Sequence, residues 1–276
     1  MTASFPVLKT PRASATRTAL IVYVVLVLCL SVNLGALEAD LESVETYVVL
    51  WKDGFAHTSY RLQWNVKRGT MGAFYFMGEG APFVWEDWNC WADLSDGRRV
   101  PLDIIRLADK WDVVLSNGVR SRGRNYWVLQ YRADLASAGY IGKTVEGGGQ
   151  ELFYFDWAPV QWDESLESRT VHVVLPIELE AAAAGDSRDP YLASLGFKTE
   201  PFVNRENRID WYAAEGAEGK YHLALRFHQE GVPVRGGQRL QFYLNLDAIA
   251  PFLDTGYAAA LAAGEEPPRS EGFPYK

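Results

Sequence analysis

The sequence predicts a mostly β protein: an antiparallel β-sandwich, immunoglobulin-like or jelly-roll-like, preceded by one N-terminal hydrophobic helix. Three observations carry that expectation. About a dozen short runs rich in Val, Tyr, Phe and Trp follow residue 40, several of them alternating apolar and polar residues as a half-buried strand does. Turn residues separate these runs roughly every 8–15 positions, and hardly any stretch has a helical period. The exception is residues 19–37, ALIVYVVLVLCLSVNLGAL, which hold no charged side chain.

That stretch is close to the roughly 20 apolar residues that cross a bilayer's hydrocarbon core. Lys9, Arg12 and Arg17 precede it, whereas Glu38, Asp40, Glu42 and Glu45 follow it. Positive charge stays on the cytoplasmic side, so residues 1–18 form a basic cytoplasmic tail and the rest lies outside the cytoplasm. A cleaved signal has a shorter apolar core and a small-x-small site. Cuts after Ala36 or Ala39 place Leu34 or Leu37 where a small residue belongs, which favours an uncleaved signal-anchor and a single-pass membrane protein. Cleavage would make the same chain secreted. Cys29 follows Leu28, not Gly or Ala, which argues against a lipoprotein cut.

Each later element has its own local reason. Residues 44–51 and 57–66 flank Lys52-Asp53-Gly54, and Asp-Gly between apolar runs predicts a hairpin. In the second run Tyr60, Leu62, Trp64 and Val66 alternate with polar residues. Residues 72–77 (GAFYFM) read as a short apolar strand; 83–94 (FVWEDWNCWADL) are aromatic and acidic without a clean period. Residues 100–105, 111–116, 126–131 and 151–157 are further strands, and 133–149 a Gly-rich connection. Val171, Val173 and Leu175 alternate up to Pro176; residues 177–184 suggest one or two helical turns before a loop at 185–189. Residues 197–203 and 208–212 read as short strands, followed by the alternating sets Tyr221, Leu223, Leu225, Phe227 and Leu240, Phe242, Leu244. The sandwich domain thus spans 40–246, with 181–189 its best internal boundary. Residues 247–276 hold a short helix near 257–263 and a disordered tail.

Composition narrows function without naming it. With 27 basic and 35 acidic side chains the net charge is −8, which repels polyphosphate and excludes nucleic acid as a partner. Beyond the apolar stretch Cys90 is the one cysteine, so the fold has no internal disulfide and stands on packing. His222 and His228 share a strand face but lie about 20 Å apart at ~3.3 Å per residue, too far for one metal. His57 and His172 have no neighbouring Cys or His, so no metal and no cofactor is expected. There is no Gly-x-Ser-x-Gly elbow, phosphate loop or dinucleotide fingerprint, and no catalytic residue stands out. Glu86 and Asp87 are adjacent, so on a strand they point to opposite faces and cannot pair across a scissile bond. Arg120, Arg122 and Arg124, the basic cluster, read as a solvated hairpin tip, with contact to anionic lipid headgroups or an acidic polymer as the alternative.

Two local patterns resemble the YciQ-like family of bacterial membrane proteins. The first is Val48-Val49-Leu50-Trp51-Lys52-Asp53-Gly54. The second joins a strand from Tyr126 to Tyr131, Glu151-Leu152-Phe153-Tyr154, Trp162-Asp163 and a Val-rich strand closing at Leu175-Pro176. The resemblance covers roughly 44–245 and implies a membrane-tethered sandwich of unknown function, with no catalytic residue to carry over. Members of that family continue into further transmembrane helices, whereas this sequence ends at Lys276 without a second apolar span.

The most unusual stretch runs from Trp85 to Asp93. Trp85, Asp87, Trp88 and Trp91 are the candidate binding residues, because sugar-binding sandwiches stack rings on exposed Trp and bond hydroxyls with acids. The alternative is that these Trp close one end of the core. The expected function is therefore an interaction or envelope-assembly module tethered by residues 19–37, its partner an envelope protein or a glycan. A carbohydrate-binding module is the alternative, and a hydrolase with a non-sequential site the third reading.

Overall fold

A computed structural model describes residues 37–216 and 219–264, and the expected hydrophobic helix at 19–37 and tail beyond 264 fall outside them but for Leu37. Among the described residues no helix is long and apolar enough to cross a membrane. Among the described residues sixteen strands follow one another: β1 Glu38–Leu50, β2 Phe55–Met71, β3 Ala73–Phe76, β4 Phe83–Trp85, β5 Trp91–Asp93, β6 Arg99–Arg106, β7 Trp111–Leu115 and β8 Ser121–Asp134 in the first half. The second half holds β9 Ile141–Val145, β10 Glu151–Trp157, β11 Leu166–Leu179, β12 Ala184–Asp186, β13 Lys198–Thr199, β14 Arg208–Glu215, β15 Tyr221–Val232 and β16 Leu240–Asn245.

The mostly β expectation is met by one large mixed sheet and one small sheet. The large sheet runs β12-β14-β15-β11-β1-β2-β8-β5-β6-β7-β3, with β4 on β8; the small one runs β13-β16-β10-β9. The mixture comes from β1 and β11, which pair in parallel from Ser43↔Ser168 to Val49↔Val174. An all-antiparallel sheet is therefore corrected. Parallel neighbours need a long crossover, and more than a hundred residues separate these two strands. The sheets meet through aromatic rings: Phe242 of β16, in the small sheet, stacks on Phe227 of β15, in the large one, at 5.9 Å, and on its own sheet neighbour Phe155 of β10 at 5.0 Å.

Local chemistry explains the hairpin that starts the large sheet. The Asp53 carboxylate accepts the Phe55 amide at 3.1 Å, and the Gly54 amide donates to the Trp51 carbonyl. Gly54 sits at φ +86°, where a side chain is strained, and an added Cβ would lie 2.8 Å from that of Ala136. In β2, Tyr60, Leu62, Trp64 and Val66 are all buried, as their alternation requires. Three other segments differ from the sequence reading. Residues 197–203 give the two-residue β13 and then the helix Pro201–Glu206, since Pro201 fits a helix's first turn. The span 177–184 continues β11 to Leu179 and then reaches β12 without a helix. The connection 133–149 contains β9, which pairs with β10.

Candidate functional site

A groove of about 860 Å³ lies where the large sheet meets the 158–164 loop. Its aromatic lining comes from four separate parts of the chain: Trp64 of β2, Phe74 and Tyr75 of β3, Tyr140 before β9, and Trp157 and Trp162 around the 158–164 loop. These rings are locked by their neighbours. Phe74 meets Trp127 edge-on at 5.2 Å and Trp162 at 6.1 Å, while Tyr60 and Phe76 pack behind Trp162. The Trp64 and Trp162 indole N–H groups are buried and have no hydrogen-bond acceptor. The 158–164 loop is held down by the Val160 amide, which donates to the Tyr60 hydroxyl at 3.2 Å.

The rim carries charge. Asp156 takes the Arg239 guanidinium and Asp163 takes Arg235 at 2.6 Å, so these four largely neutralise each other. Glu164 has no such partner; partial burial and the neighbouring Asp40 and Asp163 charges push its carboxyl above the usual carboxylate range. Among the lining residues the carboxylates thus outnumber the cations by one, with the Lys110 ammonium close by over the Tyr75 ring at 3.6 Å. Behind the wall, between Gly78 and Gly80, Glu79 turns inward, accepting the Ala81 amide at 3.1 Å and a short bond from the Tyr131 hydroxyl. Burial is the main cause raising its carboxyl, partly offset by those bonds. Sequence reasoning singled out neither Glu79 nor the groove. The available sign was an acid between two glycines inside an otherwise apolar run, 72–83.

The four residues chosen from sequence lie elsewhere and do not converge. Trp85 turns inward onto Phe76, Trp111 and Tyr131. Trp88 stands 80% exposed on the 3-10 turn Asp87–Asn89, with its amide on the Asp87 carboxylate. Trp91 lies under the Arg99 guanidinium at 4.6 Å and donates to Asp93. None of the four lines the groove. Cys90, between them, is buried beside the Gln130 amide, and burial pushes its thiol up to about 11.

A second polar cluster sits on the large sheet between β1, β11, β14 and β15. His172 is buried, stacks on Tyr47 at 4.3 Å, faces the Glu45 carboxylate at 3.2 Å through Nε2, and meets the Tyr212 hydroxyl at 2.9 Å through Nδ1. His228 meets the Thr170 hydroxyl at 2.8 Å. Arg226 is held by Asp210 in a two-pronged pair.

No protein-family model matches the chain. No curated protein matches it either. The solved structures it is similar to include metallopeptidases and a hydrolase. One is the M1 zinc metallopeptidase from Deinococcus radiodurans, 14% identical, with 75% of this chain covering 42% of that one at a TM-score of 0.39. A variant of that enzyme bound to a Tyr-Ser-Ala substrate gives 15%, 74%, 42% and 0.39 in the same terms. Native yeast LTA4 hydrolase is 8% identical, with 76% of this chain on 30% of that one and a TM-score of 0.41. The chain thus spans less than half the length of these structures. The expectation of an interaction or envelope-assembly module, with a carbohydrate-binding module as the alternative, is corrected by these neighbours, which are themselves named as a zinc metallopeptidase and a hydrolase. The likeness assigns no role to any residue here.

His57 faces Glu86, His172 is held between Glu45 and Tyr212, and His228 faces Thr170. Among the described residues no three His, Cys, Asp or Glu side chains are grouped so as to hold a metal ion.

Proposed function

We propose that this β-domain captures a peptide substrate carrying basic and apolar side chains, and that the groove is where it binds. One observation carries the reading: six aromatic side chains line a groove whose rim leaves one carboxylate, Glu164, without a cation. Cations sit favourably on aromatic faces and beside an uncompensated carboxylate, while apolar side chains gain from leaving water. At about 860 Å³ the groove has the size of a site for a short peptide. The two sheets are read as the layers of a sandwich, supported by the stacking of Phe242 of the small sheet on Phe227 of the large one. Residues 19–37 are proposed to hold this domain at the membrane on its extracytoplasmic side, supported by the charge asymmetry around them. A carboxyl-terminal reporter active only inside the cell would overturn that topology.

Tryptophan fluorescence tests the groove directly, since three of its lining residues are Trp. The full chain in detergent micelles should change emission on titration with a hexapeptide alternating Lys with Val or Phe. Binding should be at least tenfold tighter than for the same peptide with Glu in place of Lys. Glu164→Lys should narrow that preference while leaving the fold intact, because the residue is exposed and unpaired. Equal binding of the two peptides, or no change with either, would refute the reading.

A further inference from the structure

The edge of β3 gives the bound peptide a conformation. β3 is the last strand in the large sheet's order and pairs on one side with β7, from Ala73↔Val114 to Phe76↔Trp111. Its other edge has no partner strand among the described residues. Natural sheets usually cover such an edge or arm it with charge; β3 itself holds only Ala73-Phe74-Tyr75-Phe76, with the Lys110 ammonium over the Tyr75 ring at 3.6 Å.

The groove lies along that free edge. Phe74 and Tyr75 are consecutive, so their side chains leave opposite faces of the sheet. Both nevertheless line the same cavity, together with Met77 and Gly78. A cavity that touches both faces of one strand lies beside that strand's edge or its end, and here it takes in both Phe74-Tyr75 and the Met77-Gly78 that follow β3. On one face stand Phe74, Trp64 and Trp162; on the other Tyr75 and Met77 are half exposed, with Ile105 beyond the Asp112 that pairs with Tyr75. An extended segment about 4.8 Å from β3 would therefore find backbone partners along its length and apolar surface for alternate side chains on either face.

We infer that the peptide binds by adding a strand to the free edge of β3, with a basic side chain directed to Glu164. This rests on the groove being the peptide site and adds the mode of recognition. A basic extended segment is chosen as occupant over a second copy of the chain because of charge. The chain carries −8 and Glu164 stands at the groove without a cation, so two copies meeting there would bring like charges together, whereas a Lys-bearing strand brings the opposite one.

Strand addition depends on backbone amides, which separates it from mere occupation of the groove. The alternating Lys hexapeptide and a version N-methylated at every second residue, in both registers, should be titrated into the full chain in micelles, with amide hydrogen exchange followed at residues 73–77. The inference expects the unmodified peptide to slow exchange there and one methylated register to bind at least tenfold more weakly. If both methylated peptides bind as well as the parent and exchange at 73–77 is unchanged, strand addition is overturned while the groove reading stands. If no peptide binds, both fall. If sedimentation shows a dimer whose exchange at 73–77 is already slow without peptide, the edge belongs to a second copy and the inference is overturned.

Discussion

Glu42 shows how one side chain fastens three strands. Its carboxylate on β1 accepts Gln63 at 2.6 Å and Asn65 at 2.7 Å from β2, and the Arg124 guanidinium at 2.7 Å from β8. The Arg124 bond is the largest cause holding its carboxyl down at about 2, against the opposing effect of burial. The native state therefore favours the ionised form. Its contribution is complete above the ordinary carboxylate value of about 4.5 and is lost as pH falls through about 2. Glu42→Gln should cost about 1–3 kcal/mol at pH 7, nearer the lower figure because Arg124 faces solvent. In urea titrations the gap between wild type and variant should close between about pH 4.5 and 2; a gap that stays constant would disprove the assignment. Arg169 is the opposite case: it is buried with no carboxylate, bonded through one nitrogen to Gln229 and the Gly236 carbonyl, and desolvation pulls its guanidinium down to about 10.

Among the elements, the β1–β2 hairpin was readable from sequence because its cause is local. Asp53, Gly54 and an alternating run lie within a few residues of one another, and the turn they define is the one found. Gly54→Ala should be destabilising twice over, since its φ of +86° disfavours any side chain and the new methyl meets Ala136 at 2.8 Å and the Tyr257 ring at 3.0 Å. Gly97→Ala separates the two effects, because Gly97 shares that backbone (φ +85°) but has nothing within 4 Å. Thermal unfolding should put Gly97→Ala about 1 kcal/mol below wild type and Gly54→Ala a further 1–3 kcal/mol lower. Equal losses would mean that the Tyr257 contact yields freely. The parallel pairing of β1 with β11 was not readable, because nothing in either strand's own pattern specifies a partner more than a hundred residues away. Pro201, in contrast, did signal the helix that interrupts 197–203, and the apolar residues around it masked the signal.

For the whole molecule, the groove escaped sequence reading for the same reason as the parallel pair. Trp64, Phe74, Tyr140, Trp157 and Trp162 are scattered over a hundred positions, whereas the Trp-rich run 85–93 stood out only because its members are consecutive. Assembly of the groove depends on how the two sheets sit, since Trp64 and Phe74 belong to the large sheet and Asp156 and Trp157 to the small one. Phe242 is the fully buried ring between Phe155 and Phe227 at that junction, and it does not line the groove. Phe242→Ala should cost about 3–5 kcal/mol in chemical unfolding through the cavity it leaves. Examined well below its melting temperature, the folded variant should also bind the basic hexapeptide at least tenfold more weakly, although every lining residue is retained. Phe242→Leu, which keeps most of the volume, should recover most of both losses. Undiminished binding by a folded Phe242→Ala would show that the groove is set by the large sheet and the 158–164 loop alone.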